Sequence, residues 1–402
     1  MKKAWILALV LALSIIFTGC TTNELKLYNA FMKSQDIISM ESDMDIAFSL
    51  DSEGFSEEVQ PMIQEMAQVL NNSEINIYQK MVQNQEKTAA RAKMDASLNI
   101  GGMPMDMKVW VDVDTSEDTP KMVEVIKMPQ ILMEQISPEG QSKKYIVYDF
   151  ADIAASGQEE IDFKELMDFS REIQPKMMEF MKDYPKSFDP GFRIASFKGT
   201  KDVNGDTLSI YEVKLNDESF KELIKYVVNK EIDNEDNIKF LREYMKVVMS
   251  ITQLPDGEKE TAKEEVNQGI DKLQENLPEI KNQFNKFMED FKDVKVLGEE
   301  GIVIEYGVNR DGYMVHEAGK IDLNIDLKAI VEAIGHNTSA ENLGKLKLGI
   351  DYNSKIYNMD KDMQINMPRV NEKNALYFSD MMKQIESETN KAIQEEPVEV
   401  VE

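Results

Sequence analysis

The amino-acid sequence predicts an α+β fold in which one large antiparallel sheet of long strands curls around helices. Several segments alternate apolar and polar side chains with the period of a half-buried strand. Between them lie stretches whose apolar residues recur at helical spacing, in the order helix, long strands, helix, hairpin, helices, long strands. Neither half flanking the helical stretch at about 234–291 holds enough strands to close a core alone, so the two are expected to complete one another.

The chain opens with Lys2 and Lys3, followed by an almost unbroken apolar run from Ala4 to Phe17. Roughly 20 apolar residues are needed to cross a bilayer, so this run is short for a span. It has the length of a signal-peptide core. Phe17-Thr18-Gly19-Cys20 then resembles the lipobox of bacterial lipoproteins, whose cysteine is acylated and becomes the new N-terminus. Phe17 departs from the usual Leu or Val. Residues 1–19 therefore read as a lipoprotein signal peptide and 20–23 as a lipidated anchor at Cys20, the single cysteine of the chain. An exported protein with one unpaired thiol is otherwise hard to rationalise. Without a second cysteine there is no internal disulfide, and the fold must rest on its hydrophobic core.

After a short helix within Asn23–Ser39, strand patterns dominate. The clearest places Met103, Met105, Met107, Val109, Val111 and Val113 on one face, with Asp106, Lys108, Asp112 and Asp114 between them. Pro104 cannot donate to a ladder, so that end reads as an edge. Similar alternation marks Ile75–Val82, Met94–Ile100, Leu208–Leu215, Ile321–Leu327, Leu346–Tyr352 and Met363–Met367. Asn204-Gly205 and Asp311-Gly312 read as two-residue hairpin turns.

Helices are expected at Ser56–Leu70, with Val59, Met62, Ile63, Met66, Val69 and Leu70 on one face, and from Asp162 to Met181, kinked by Pro175. Another, capped by Asn216 or Asp217, bears Phe220, Leu223, Ile224 and Val227. Between 234 and 291, Pro255-Asp256-Gly257 divides the helical stretch. Beyond it Val266, Ile270, Leu273, Leu277, Ile280, Phe284, Phe287 and Phe291 form a seam that Pro278 should kink or split. Residues 381–402 end in a run of Glu and Val that reads as an acidic disordered tail.

The strand–strand–helix unit of Phe192–Glu231, with its Val203-Asn204-Gly205-Asp206 turn and Tyr211-Glu212-Val213-Lys214-Leu215-Asn216 lead into a helix, resembles the LolA/LppX-like superfamily of lipoproteins and lipoprotein carriers. The strands Gly312–Leu327 and Leu346–Met367 extend the likeness over about 24–375, in pattern rather than invariant motif. The resemblance implies a single domain over 24–380, with a helical insertion at about 234–291. It further implies an unclosed half-barrel, its concave face covered by helices. In several relatives that face binds acyl chains.

Composition narrows the function. The formal charge is −28, and loss of Lys2 and Lys3 makes it more negative still. This argues against nucleic acid, which is bound through clustered Lys and Arg. His316 and His336 are the only histidines, so a His-based metal site or a Ser-His-Asp triad has little to build from. Acidic clusters at Asp112, Asp114, Glu117 and Asp118, and at Asp202, Asn204 and Asp206, lack a complete calcium-loop pattern; turn chemistry explains them better. No metal or cofactor is expected. Trp110 points to the polar side of its strand, where packing under a helix accounts for it. Methionine is abundant, 27 of 402 residues. Its flexible, polarizable side chain suits pockets for variable apolar ligands and equally suits plain core filling.

The expected function is a non-enzymatic, membrane-anchored extracytoplasmic lipoprotein. It would bind a lipid or other apolar molecule in a groove lined by Met103, Met105, Met107, Met177, Met178 and Met181. The alternative is a surface interaction module with a filled core, acting through protein or cell-envelope contacts.

Overall fold

The computed structural model describes residues 22–116, 121–136, 143–155, 171, 173, 176, 188–203, 205–251, 259–333 and 342–383. Its first part runs α1 (Thr22–Ser34), β1 (Ser39–Glu53), α2 (Gln60–Asn71), β2 (Glu74–Gln83), β3 (Ala89–Ile100), β4 (Met103–Asp114), β5 (Lys121–Lys127), α3 (Gln130–Ile136), β6 (Tyr145–Asp149) and α4 (Phe150–Ala155). The second runs β7 (Ala195–Val203), β8 (Asp206–Leu215), α5 (Asp217–Asp233), α6 (Glu235–Ile251), α7 (Lys259–Asp290), β9 (Leu297–Val308), β10 (Met314–Asp326), α8 (Leu327–Ala333), β11 (Lys345–Tyr357) and β12 (Ala375–Tyr377).

All twelve strands join one sheet in the order β12-β6-β5-β4-β3-β2-β1-β11-β10-β9-β8-β7. Two antiparallel meanders, β1–β6 and β7–β11, meet where β1 pairs β11 from Glu41 opposite Tyr357 to Glu53 opposite Lys345. The short β12 is the exception, parallel to β6. β7 and β12 stand at opposite ends of the strand order, so the sheet is unclosed: an α+β half-barrel under helices.

Register turns the alternation of separate strands into one continuous surface. Val213, Ile304, Gly319, Tyr352, Ile46, Ile75, Leu98 and Met105 face one another in turn across eight adjacent strands. Because side chains alternate, their i±2 neighbours share that face, and most are apolar. At the β7–β9 side it is deeply covered: Leu27 and Ala30 of α1 and Leu223 and Val227 of α5 pack on Val213, Leu215, Ile302 and Ile304. Across β1–β4 most of the same face is only half-buried.

α1 lies across this inner face and is pinned at both ends. Near its start the buried Glu24 accepts backbone N–H bonds from Ile194 (2.9 Å) and Ala195 (2.8 Å). At its end the Ser34 hydroxyl accepts from the Met314 N–H at 2.9 Å. α5 begins with a capping box in which Asn216 and Ser219 exchange hydrogen bonds.

Several expectations need correction. Met363–Met367 belongs to no strand. It crosses the outer face, where Ile365 and Met367 cover Trp110, Val125 and Val147. A chain lying on a sheet buries every second residue just as a strand does, so the alternation reports one-sided burial, not pairing. Trp110 is thus covered by this segment rather than a helix. Asp311-Gly312 is not a two-residue turn: Asn309 and Tyr313 flank a three-residue loop, and only Gly312 (φ +85°) adopts the left-handed conformation. Pro278 does not split its helix, which runs unbroken from Lys259 to Asp290. The stripe of α2 is not buried as a whole, since Met62, Met66 and Val69 are exposed.

The hairpin at Val203 and Asp206 is closed by two residues, with Gly205 at φ +93°. Residues 378–383 are helical. Of the expected helix at 162–181, Arg171, Ile173 and Lys176 are helical and Ile173 is buried. Pro175, Asn204, the Pro255 turn and residues 384–402 lie outside the described residues.

Candidate functional site

A cavity of about 700 Å³ opens on the inner face where the end of α1 meets the sheet. Phe31 and Ile37 project from α1 and the turn after it. Met40 of β1 and Met81 of β2 stand opposite each other in register, and Met314 begins β10. The bulge between β9 and β10 at Met314–His316 brings β10 residues of both orientations, including Val315 and His316, to this end of the cavity. Glu86 and Lys87, from the β2–β3 turn, sit at the mouth.

Besides Glu86 at the mouth, a second carboxyl, that of Glu317, stands on the sheet wall. It faces Tyr306 of β9 and Ser354 of β11 in register. The Tyr352 hydroxyl, one strand away, donates to Glu317 Oε1 at 2.6 Å. That reach depends on Gly319, over which the Tyr352 ring lies: a Cβ at position 319 would stand 2.2 Å from Tyr352 Cε1. Burial raises the Glu317 carboxyl above its ordinary range, and the hydrogen bond from Tyr352 works against that rise. Burial and the nearby Glu317 charge push both Tyr306 and Tyr352 far above the usual phenol range. Burial lowers His316, and the Lys201 charge adds to this.

The outer face is different in kind. Asp112 lies between Arg91 (3.1 Å) and Lys121 (2.7 Å). Burial opposes its ionisation, but the hydrogen bonds from these two cations hold its carboxyl below the usual range. Asp114 accepts from Ser116, and Asp202 from the Thr207 hydroxyl. These groups are satisfied within turns and ladders, while Glu117, Asp118 and His336 lie outside the described residues. Among the described residues no cluster of His, Cys, Asp and Glu is placed to hold a metal, and no helix is long and apolar enough to cross a membrane.

No protein-family profile matches the chain, and no curated protein does. Among solved structures, a DUF1329 family protein from Desulfovibrio piger is a weak neighbour. It shares 7% identity over 85% of this chain and 93% of that chain, with a TM-score of 0.17. A likeness that slight carries no argument.

The methionines expected to line a groove are distributed otherwise. Met105 and Met107 do lie on the inner face, half-buried, opposite Leu98 and Ala96. Met103 sits beside the β3–β4 turn, 64% exposed. None of the three lines the cavity, whose methionines are Met40, Met81 and Met314. Met177, Met178, Met181 and Cys20 lie outside the described residues. Met81 falls inside a segment already readable as a strand. Its place in a cavity depends on where α1 ends, and alternation contains no signal for that.

Proposed function

We propose that the chain is a membrane-anchored, extracytoplasmic lipoprotein of LolA/LppX-like type that binds a lipid or other apolar molecule without catalysing a reaction. The observation that carries this reading is the inner-face cavity. Its volume lies within the range of about 300–1,000 Å³ usual for small-molecule pockets. Its apolar walls are Met40, Met81 and Met314 with Phe31 and Ile37, beside polar groups such as Gln35 and Gln83, and the inner face next to it is half-buried and mostly apolar. The tether rests on a separate argument, the charged start, apolar run and Cys20. One acyl chain binds a membrane only reversibly, and a diacylated cysteine gives durable anchoring.

Expression in the native host, followed by solvent extraction of the purified protein, tests the ligand. A defined lipid in near-stoichiometric amount is expected; extracts matching those of an unrelated lipoprotein would overturn the reading. Palmitate labelling tests the anchor independently, since Cys20→Ser should abolish both the label and membrane retention.

A second reading, an interaction module, is favoured by one observation. Met62, Met66 and Val69 of α2 are exposed together with Ile100 and Met103 at the β3–β4 turn, and Gly101 lies against Val69. Exposed apolar groups of this kind mark contact surfaces. If the extracts hold no lipid while charged substitutions at Met62 and Met66 abolish the chain's cellular role, this second reading replaces the first.

A further inference from the structure

We propose that the inner-face cavity selects its ligand by head group, taking amphiphiles whose head donates hydrogen bonds or carries positive charge, a long-chain amine being the simplest, over carboxylate-headed chains. The inference rests on the apolar-ligand reading above and names the chemistry of that ligand.

Its basis is the placement of Glu317. The carboxyl lines a cavity whose other walls are shared between apolar side chains, Met40, Met81 and Met314 among them, and polar ones such as Gln35, Gln83 and Ser354. Among the described residues Tyr352 is its single hydrogen-bond donor. A carboxylate that leaves water needs either a cation or several donors, because desolvation of a charge costs more than one neutral hydrogen bond returns. The nearby cations are engaged elsewhere. Lys87 donates to the Gln35 carbonyl (2.8 Å) and pairs with Asp36 (3.7 Å). Lys33 donates to the Asp311 carbonyl and lies over the Tyr313 ring. Lys355 pairs with Asp43 at 3.1 Å.

An ammonium head supplies the charge-assisted donors that Glu317 lacks, with its alkyl chain among Met40, Met81 and Met314. A carboxylate head would meet Glu317 at the wall and Glu86 at the mouth. Burial, which raises the Glu317 carboxyl, measures the same deficit that such a head would relieve.

The test uses the mature chain from residue 20 with Cys20→Ser, and the neutral probe N-phenyl-1-naphthylamine. Dodecylamine, dodecanol and dodecanoate are titrated as displacers below their micelle concentrations. The amine should displace the probe at a concentration about tenfold below dodecanoate, consistent with one charge-assisted contact. In Glu317→Gln, which keeps shape and loses charge, the two should fall within about threefold while the probe still binds. Dodecanoate equal to or better than the amine, or an undiminished preference in Glu317→Gln, overturns head-group selection and leaves apolar binding standing. If no chain displaces the probe, both readings fall. The wild-type ranking decides the matter even where the variant folds poorly.

Discussion

Tyr352 reaches Glu317 because residue 319 has no side chain. A methyl group there would occupy the space of the Tyr352 ring, and the middle of a twelve-stranded sheet gives the backbone little room to move aside. Gly319→Ala should therefore swing Tyr352 off the carboxyl and destabilise the fold by about 1–3 kcal/mol, as overpacking does. Chemical denaturation reads this directly, and an unchanged midpoint would show that the ring does not lie where described. Glu317 also shapes the pH dependence. Its folded value lies above the ordinary 4.5, so between those two values the folded chain binds more protons than the unfolded one. Stability contributed by this group therefore falls as pH rises through that window and is level beyond it. Against wild type, Glu317→Gln should remove that decline, measured as the difference in unfolding free energy from pH 4 upward. Wild-type stability minus that of the variant should shrink as pH rises through the window, and a difference that instead grows with rising pH would give the shift the opposite sign. None of this could be read from the sequence: Glu317 occupies a position where alternation expects an apolar residue, yet nothing local tells that Tyr352 lies beside it.

Among the elements, strands that keep their apolar row on one face were legible. β4 keeps its apolar row from Met105 to Val113 because every second residue faces the inner surface, and β2, β3 and β11 follow the same rule, whereas β8 buries Leu208 and Ile210 on one face and Tyr211, Val213 and Leu215 on the other. Elements whose environment changes along their length were not. α2 turns Ile63 and Leu70 partly inward while Met62 and Met66 stay exposed, so a single apolar stripe misstates its packing. α7 keeps its helix through Pro278, whose ring removes one backbone N–H and crowds the preceding turn. Ile270, Phe284 and Met288, buried on either side of the proline, anchor both segments of the helix. Pro278→Ala should raise thermal stability, by about 1–3 kcal/mol at the transition, because alanine restores the bond and favours the helix. A lowered transition temperature would mean that the proline supports a bend the packing requires.

At the scale of the molecule, two meanders become one body through β1 and β11, strands nearly the whole chain apart in sequence. The need for both halves was legible, since neither offers enough strands for a core. Their partner strands and the place of the cavity were not, because both depend on register and on α1 crossing the finished sheet. The account's central claim is that the space beneath the end of α1 holds an apolar guest. Native mass spectrometry of the mature chain, purified from its own host with Cys20→Ser, measures this most directly. The predicted spectrum shows the protein with a discrete added mass, reduced in Met81→Trp, whose larger ring takes up part of the cavity. A bare protein mass for the chain with Met81 intact would contradict the claim.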